Sequence, residues 1–255
     1  MIRNKPNYIE IQHKVQGLSE SFTNLVIDSL LGLRPKADIE KPYVRLMDAL
    51  QYFISDIEQC RRHLELFFQG LPKVLATLKG DAYFIFHNDP AAESIEEVLL
   101  AYPGFYAIIH YRLANLLRRM GVKILPRMIT EYAHSKTGID IHPAATIGQQ
   151  FCIDHGTGIV IGETAKIGDK VKIYQGVTIG ALSVSKSLAT TKRHPTIEDN
   201  VIIYAGSTIL GGETVIGHNS VIGGNVWLVK SVPPFSMVYH ESKVIVRQND
   251  YKTKM

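Results

Sequence analysis

The stretch VIGETAKIGDKVKIYQGVTIG, residues 160–180, places an isoleucine at every sixth position. The same six-residue period extends from Gly138 to Pro233, and it predicts a parallel β-helix in which each short strand forms one side of a coil. About 18 residues close one coil, so we expect about five coils. The branched apolar residues that mark the period are Ile141, Ile147, Ile153, Ile161, Ile167, Ile173, Ile179, Ile197, Ile203, Ile209, Ile216, Ile222 and Leu228.

Two residues of each six-residue unit are expected to point into the coil. The first is the branched residue itself, and the second is the small residue four positions later. The second set comprises Ala145, Thr157, Ala165, Val171, Val177, Val201 and Ser207.

The repeat is interrupted twice, and a solenoid needs neither interruption for its own stability. DHGTG at residues 154–158 falls where the isoleucine spacing is eight instead of six, so we expect two residues to bulge out at Asp154 and His155. The second interruption, residues 181–196, is rich in Ser, Thr and Lys and contains KRHP at residues 192–195. We expect this segment to form a loop that leaves one corner of the coil. Both interruptions therefore indicate a functional site.

The region before the repeat has few glycines and places apolar residues at helical spacing. Residues 41–72 are expected to be helical, and Gly70 followed by Pro72 is expected to end the helix. A further two or three helices are expected between Ser94 and Gly138.

Local signals set the boundaries of those further helices. Ser94 and Glu97 have the spacing of a capping box. Pro103 and Pro126 are expected at helix boundaries because proline lacks the N–H that a helix interior requires.

The change of period predicts an α+β multidomain chain. An all-α helical domain is expected at residues 1–137, and a β-helix domain at residues 138–234. The polar remainder, residues 235–255, is expected to be a frayed tail.

The composition excludes several classes of function. The formal net charge is +4, and no run of Lys and Arg with interleaved aromatic residues indicates nucleic-acid binding. No apolar run of about 18 residues indicates a membrane span, and the first residues lack the apolar core of a signal peptide. Cys60 and Cys152 do not form a disulfide framework. We therefore expect a cytoplasmic protein that binds neither nucleic acid nor membranes.

Four motifs together resemble the serine O-acetyltransferases, which are hexapeptide-repeat acyltransferases. They are DPAAES at residues 89–94, DIHPAATIG at residues 140–148, DHGTGIVIGETA at residues 154–165 and RHPTI at residues 193–197. The order and spacing of the motifs are specific, whereas the hexapeptide repeat alone is shared by many proteins. The resemblance implies a left-handed β-helix and transfer of acetyl from acetyl-CoA to the L-serine hydroxyl. The products would be CoA and O-acetyl-L-serine for cysteine synthesis.

Acetyl transfer to a primary alcohol requires a base that removes the hydroxyl proton. Histidine, with an ordinary pKa of ~6.5, suits this role when a carboxylate orients its ring. The resemblance assigns the base to His155, its carboxylate partner to Asp140 and a second catalytic contact with the substrate to His194. Asp140 precedes His155 by 15 residues, close to one coil. We therefore expect the two side chains on neighbouring coils at one corner, within hydrogen-bond reach.

An amino-acid substrate carries an ammonium and a carboxylate, and its pocket should carry groups for both. The resemblance places Asp89 and Asp154 at the family's acidic substrate-binding positions. It makes Arg193 the group that binds the carboxylate, and a planar guanidinium suits this task.

The resemblance implies no metal. It places acetyl-CoA in a groove between adjacent β-helices of a homotrimer, in which residues from two subunits complete each site. Backbone groups near Gly180, Ala181 and Ala205 are the expected contacts. The chain departs from the family at residues 180–186, where GALSVSK replaces a glycine-rich stretch. Ala181 thus adds a methyl group close to the expected thioester position.

The resemblance also bears on assembly. In the family, the helical half joins two trimers into a hexamer, and Phe67 and Phe68 could form that interface or fill the helical core. Many members end in an isoleucine that docks into cysteine synthase, whereas this chain ends in YKTKM. We therefore do not expect that complex.

Two other functions stay open at this point. One is an acyltransferase for another alcohol, such as a sugar, although a sugar offers no carboxylate for Arg193. The other is a non-catalytic β-helix scaffold, which would not need Asp140, His155 and His194. His142 and Glu163 are open between a structural role and a supporting role in the site.

Overall fold

The computed structural model describes residues 7–33, 39–182, 191–241 and 245–246. Within them, six helices precede fourteen short strands. The helices are α1 (Tyr8–Leu31), α2 (Glu40–Phe53), α3 (Ile57–Asn88), α4 (Ile95–Ala101), α5 (Pro103–Arg119) and α6 (Ile124–Thr137). None of the helices in these ranges is long and apolar enough to cross a membrane.

The strands are two or three residues long. They are β1 (Asp140–Ile141), β2 (Thr146–Ile147), β3 (Cys152–Asp154), β4 (Val160–Ile161), β5 (Lys166–Ile167), β6 (Lys172–Tyr174), β7 (Thr178–Gly180), β8 (Thr196–Ile197), β9 (Ile202–Ile203), β10 (Thr208–Leu210), β11 (Val215–Ile216), β12 (Val221–Ile222), β13 (Trp227–Leu228) and β14 (Met237–Val238).

Side-chain caps begin the first and third helices. Asn7 accepts the backbone N–H of Glu10 at 3.4 Å, and α1 ends at Gly32, whose φ of 65° is left-handed. Asp56 accepts the backbone N–H of Glu58 at 2.9 Å and so begins α3 shortly after α2 has ended.

The prediction that Gly70 and Pro72 end a helix is wrong, because α3 continues through both residues to Asn88. A Cβ atom at Gly70 would lie 3.0 Å from Leu116 Cδ1 in α5. The glycine therefore allows two helices to pack closely instead of ending one of them. The length of α3 also brings its C-terminal end to the β-helix.

The residues after Ser94 form three helices, at the upper end of the expectation. The Ser94 hydroxyl accepts the backbone N–H of Glu97 at 3.2 Å, and Pro103 is the first residue of α5. Pro126 is the third residue of α6, so that helix begins two residues before the proline. The first turn of a helix tolerates proline because its N–H groups have no partner within the helix.

The strands stack into three parallel sheets, one on each side of the coil. The first sheet is β1-β4-β7-β10-β13, the second is β2-β5-β8-β11 and the third is β3-β6-β9-β12-β14. Isoleucines pair with isoleucines in every sheet, as Ile161 with Ile179 and Ile153 with Ile173. The predicted left-handed β-helix of about five coils after a helical region is confirmed.

The interior of the coil is filled by each branched residue together with the residue two positions before it. Thr157 was expected in this second set, but it is exposed, and Ile159 is buried in its place. The reason is the interruption: two additional residues between Ile153 and Ile161 shift the inward position from 157 to 159.

The bulge itself lies slightly later than expected. Asp154 is the last residue of β3 and pairs with Tyr174, so it is part of the sheet. The turn begins at His155, whose φ is 57°, and continues through Gly156 with a φ of 94°. Histidine adopts this left-handed conformation more readily than a β-branched residue, and glycine adopts it without penalty.

A buried ion pair joins the helices to the first coil. Arg112 in α5 and Asp81 in α3 are both buried, and Arg112 Nη2 lies 2.9 Å from Asp81 Oδ1. The same nitrogen donates to the carbonyl of Gly148 at 2.7 Å, while Asp81 accepts the N–H of Phe151 at 2.9 Å. The helices are thereby fixed to the β-helix on the coil that carries the predicted site.

The coil continues beyond its predicted end at residue 234. Strand β14 pairs with β12 through Met237 and Val221, so part of the expected tail belongs to the last coil. Residues 242–244 and 247–255 of that tail, and residues 183–190 of the expected loop, lie outside the described residues. The division into separate domains at 137 and 234 stays a prediction.

Candidate active site

The predicted site residues fall at two different corners of the β-helix. We call the turn from the third sheet to the first the His155 corner, and the turn from the first sheet to the second the His194 corner. At or beside the His155 corner are Asp154, His155 and Ala205; at or beside the His194 corner are Gly180, Ala181, Arg193 and His194. The strands of the first sheet lie between the two corners.

Asp89, which follows α3, is held by two hydrogen bonds at the His155 corner. Its Oδ2 accepts the hydroxyl of Tyr102 at 2.6 Å, and its Oδ1 accepts the backbone N–H of Ala91 at 2.9 Å. The hydrogen bond from Tyr102 is the main cause that lowers the pKa of Asp89 below its ordinary value. Asp89 is therefore ionised and fixed in position.

Asp154 lies beside a buried lysine. Lys172 Nζ is 3.0 Å from Asp154 Oδ2 and donates to the carbonyl of Asn88 at 2.8 Å. Burial alone would lower the pKa of Lys172, but hydrogen bonds with Tyr174 and Asp154 outweigh it and raise that pKa. Lys172 thus connects the end of α3 to the strand that carries Asp154. We call Asp89, Asp154 and Lys172 the acidic cluster.

His155 projects from the corner into solvent, with 74% of its side chain exposed. Its nearest carboxylate is Asp154, with Nε2 3.8 Å from Oδ1. The expected hydrogen bond to Asp140 is not present: Asp140 pairs with Arg127 of α6 at 3.3 Å. Asp140 stands in β1, and its backbone is bonded to Ile159, beyond the turn that carries His155. One coil of separation therefore places Asp140 and His155 near the same edge of the first sheet, but without a hydrogen bond between their side chains.

Arg193 lies at the other corner, where its guanidinium donates to the carboxylate of Glu163. Burial would raise the pKa of Glu163, but the hydrogen bond from Arg193 and nearby positive charges lower it. This pair gives Glu163 a supporting role that the sequence left open. The nearby His142 uses Nδ1 to accept the N–H of Ala144 at 3.2 Å.

His194 is buried beside Thr164, with 7% of its surface exposed. Its Nδ1 lies 3.1 Å from the backbone nitrogen of Thr164 and 2.8 Å from the hydroxyl oxygen. Burial, followed by the charges of Arg193 and Lys192, lowers the pKa of His194 to about 4. The ring is therefore neutral at physiological pH. We call Arg193, His194, Glu163 and Thr164 the Arg–His cluster.

The residues expected to contact acetyl-CoA are also divided between the corners. Gly180 ends β7, and Ala181 follows it at the His194 corner. Ala205 lies after β9 at the His155 corner. All three are partly exposed, so their backbones are accessible. Because the corners are separated by the first sheet, these residues do not line one groove within a single chain.

One group of possible metal ligands occurs among the described residues. Glu131, His134 and Asp140 each place a ligand atom within 4.8 Å of the others. The guanidinium of Arg127 contacts both Glu131 and Asp140. Since a cation already occupies the space between the two carboxylates, we assign no metal to the group.

Sequence reasoning missed three residues that hold the predicted ones. Tyr102 fixes Asp89, Lys172 fixes Asp154, and Thr164 fixes His194. Lys172 occupies an outward position of its strand, where a lysine normally meets solvent, but here it contacts the end of α3 and the ring of Tyr174. Thr164 lies within the GETA motif, which was the one available signal.

Known sequences provide a comparison. No protein-family model matches the chain. The chain is 48% identical over 194 residues to the plasmid serine acetyltransferase of Synechococcus elongatus, covering 74% of this chain and 60% of that protein. It is 44% identical over 177 residues to the serine acetyltransferase of Bacillus subtilis, covering 69% of this chain and 79% of that protein.

Solved structures extend the similarity over most of the chain. A serine acetyltransferase of Entamoeba histolytica in complex with cysteine has a TM-score of 0.80 at 28% identity, over 94% of this chain and 96% of that one. A serine complex of the Neisseria gonorrhoeae enzyme has a TM-score of 0.65 at 28% identity, over 94% and 97%. A serine acetyltransferase complex with CoA has a TM-score of 0.64 at 28% identity, over 90% and 97%.

Proposed function

The chain belongs to the serine acetyltransferase family, and we propose the residues with which it transfers an acetyl group from acetyl-CoA to the hydroxyl of L-serine. The family and enzyme class expected from the four motifs are confirmed. The products are O-acetyl-L-serine and CoA. The assignment of individual residues is the proposal, and it rests on the acidic cluster and the Arg–His cluster.

The two clusters offer complementary charges to an amino acid. Asp89 and Asp154 are suited to the ammonium group, and Arg193 to the carboxylate. Serine carries both groups on one carbon atom. Within one chain, however, the residues from Gly158 to Gly162 separate the corners by about 13 Å of extended backbone. One serine molecule cannot reach both clusters of the same chain.

We infer that two copies of the chain complete each site. In a ring of three copies, the His194 corner of one copy would face the His155 corner of the next, and the three contacts would be equivalent. This arrangement brings together the serine-binding residues, which are divided between the two corners of one chain. It likewise brings Gly180 and Ala181 of one copy close to Ala205 of the next. The separation of the two clusters is the observation that carries the proposal of a homotrimer.

In the proposed reaction, His155 removes the proton from the serine hydroxyl while the hydroxyl oxygen attacks the thioester carbon. A C–O bond forms, and the carbonyl oxygen of the acetyl group becomes negatively charged. Collapse of this intermediate breaks the C–S bond, and the protonated His155 returns its proton to the CoA sulfur. The exposure of His155 leaves its ring accessible to both substrates. Asp140 stays the proposed partner of His155, and movement of the exposed ring would bring them together.

The helical region is the proposed contact between two trimers. Phe67 does not serve this contact, because it is fully buried and stacks on Phe22 with ring centroids 5.2 Å apart. Exposed apolar side chains of α1, α2 and α3 are the better candidates: Tyr8, Ile9, Tyr43, Val44, Ile57 and Leu66. Light scattering distinguishes a trimer from a hexamer. The predicted cytoplasmic location and the absence of a cysteine synthase complex stay predictions.

The experiment that tests the function is thiol release from acetyl-CoA. L-serine is compared with L-homoserine, a sugar and a reaction without acceptor. Release that depends on L-serine supports the proposal. Release only with another alcohol would replace the assigned acceptor, and no release with any acceptor would favour the scaffold.

A further inference from the structure

Thr164 and His194 make an unusually complete set of hydrogen bonds at the His194 corner. The Thr164 hydroxyl oxygen accepts the backbone N–H of Arg193 at 2.9 Å and that of His194 at 3.1 Å. The same oxygen lies 2.8 Å from His194 Nδ1. The backbone N–H of Thr164 also points to Nδ1, at 3.1 Å.

These contacts determine which ring nitrogen carries the proton. A threonine hydroxyl has one proton and two lone pairs. Because both lone pairs of Thr164 accept backbone N–H groups, its proton is directed to His194 Nδ1. That nitrogen then accepts both the O–H and the N–H of Thr164. In a neutral imidazole the proton must therefore reside on Nε2.

The surroundings keep the ring neutral and leave Nε2 available. The charged and titratable groups around His194 are Arg193, Lys192, Glu163 and His142, and the positive charges oppose protonation of the ring. Within the described residues, Nε2 has no hydrogen-bond partner, and it is not sealed from solvent.

Gly162 provides the space in which the ring lies. A Cβ atom at this position would be 2.0 Å from Nε2. The backbone N–H of Gly162 donates to Ile179, which directly precedes Gly180 in the neighbouring coil. The Nε2 atom is thus held near the place proposed for the thioester.

We propose that Thr164 is a positioning residue that fixes His194 as the Nε2–H tautomer, so that His194 donates a hydrogen bond to a negatively charged oxygen of the bound substrates. This inference rests on the proposed function and refines it, since His194 is then a neutral donor and not a second base. The oxygen belongs either to the serine carboxylate, beside Arg193, or to the acetyl group as its charge develops.

The experiment compares Thr164→Val with Thr164→Ser. Valine keeps the shape but removes the hydroxyl, and serine retains it. Loss of one positioned hydrogen bond is expected to lower kcat/KM for L-serine about 10-fold in Thr164→Val. Thr164→Ser should stay within about 2-fold of the wild type. A rise in the KM for serine identifies the carboxylate as the acceptor, and a fall in kcat identifies the acetyl oxygen.

Thr214→Val is the matched control. Thr214 is also buried, and its hydroxyl donates to the carbonyl of Leu210 at 2.7 Å without contacting His194. This variant should retain the wild-type kcat/KM. An equal loss in Thr214→Val would show that the activity responds to any buried hydroxyl of this corner and would overturn the assignment.

A second readout does not depend on activity. Nitrogen-15 NMR of histidine-labelled protein, with His194→Gln to assign the signal, reports the protonation of each ring nitrogen. We expect an unprotonated Nδ1 and a protonated Nε2 at pH 7.5. A proton on Nδ1, or a charged ring, would overturn the inference. Failure of the proposed function would be recognised separately, as wild-type protein that releases no thiol with L-serine.

Discussion

The carboxylates on either side of His155 have different surroundings. Asp154 Oδ1 lies 3.8 Å from His155 Nε2, and the Asp154 carboxylate also forms an ion pair with Lys172. Asp140 is the partner that the family resemblance implies, and in this chain it is paired with Arg127. The two carboxylates can therefore be distinguished by the effect of substituting each one on the KM for L-serine and on kcat.

We expect Asp140→Asn to lower kcat by at least about 10²-fold with little change in the KM for L-serine, because it removes the proposed partner of the base. Asp154→Asn should mainly raise the KM for L-serine, since it removes a partner of the ammonium group. Steady-state kinetics of both variants provide the test. A reversed pattern would make Asp154 the partner of His155. His155→Ala sets the reference, with an expected loss of ~10²–10⁴ in turnover.

Tyr102 controls the other acidic residue. In Tyr102→Phe, Asp89 loses the hydrogen bond that lowers its pKa. The KM for L-serine should rise about 5- to 10-fold. Since the pKa of Asp89 rises, the loss of serine binding on acidification should also begin at a higher pH. Tyr83→Phe is the control, because Tyr83 is exposed on α3 and its ring packs against His87. An unchanged pH profile in Tyr102→Phe would contradict this role.

At the level of the elements, a buried ion pair is one of the contacts that attach α3 and α5 to the first coil, beside the hydrogen bond from Tyr111 to the carbonyl of Ala145. Asp81 is bonded to Arg112 and to the backbone of Phe151, and burial raises its pKa while Arg112 lowers it. Arg112 also reaches the carbonyls of Ile147 and Gly148. Loss of either partner leaves a buried charge without its counterpart.

Asp81→Asn is expected to lower the free energy of unfolding by about 3–5 kcal/mol, the usual cost of breaking a buried ion pair. Denaturant unfolding followed by circular dichroism measures it. Arg61→Gln removes an exposed pair with Glu58 and should cost less than about 1 kcal/mol. Equal effects of the two substitutions would mean that the Asp81 pair does not anchor the helices.

The sequence predicted the elements correctly where a single periodicity determines the structure. It failed where contacts between residues distant in sequence determine it. The isoleucine spacing was sufficient for the strand register, because each coil repeats the same inward pattern. The helix end expected at Gly70 was wrong because the glycine makes room for Leu116 of α5, and a local sequence pattern does not show that contact. Thr157 was misplaced because the length of an interruption does not reveal where the inward position resumes. Tyr102 and Lys172 were missed because their partners are distant in sequence.

For the whole molecule, acid sensitivity has a structural source in the helical region. His110 is fully buried, and burial is the main cause that lowers its pKa to about 4. Its Nδ1 lies 2.8 Å from the carbonyl of Tyr106. Protonation of this ring is therefore opposed by the fold.

The folded-state pKa of His110 is below the unfolded value of about 6.5, so the neutral ring contributes stability that is complete above pH 6.5. This contribution is lost as the pH falls from 6.5 through 4. Melting temperatures between pH 7.5 and 4 should fall less steeply for His110→Gln than for the wild type. His194 contributes with the same sign and is unchanged in that variant. Parallel profiles would contradict the assignment to His110.

The family resemblance implies that residues from two subunits complete each site, but the sequence pattern alone does not show which residues lie at which corner. The resemblance assigned Asp89, His155 and Arg193 to one site, whereas the fold places Asp89 and His155 at one corner of the chain and Arg193 at another. The coil geometry supports our proposal that a second copy brings them together.

Complementation between two inactive variants tests this central claim most directly. His155→Ala and Arg193→Ala chains are prepared separately, then unfolded together and refolded as mixed oligomers, with each variant refolded alone as the control. If neighbouring copies share each site, a mixed trimer contains sites with both residues intact, about a quarter of all sites in an equal mixture. We therefore predict that L-serine-dependent thiol release returns to about a quarter of the wild-type rate. Mixed oligomers that are as inactive as the separate variants would show that each site lies within one chain and would contradict the account.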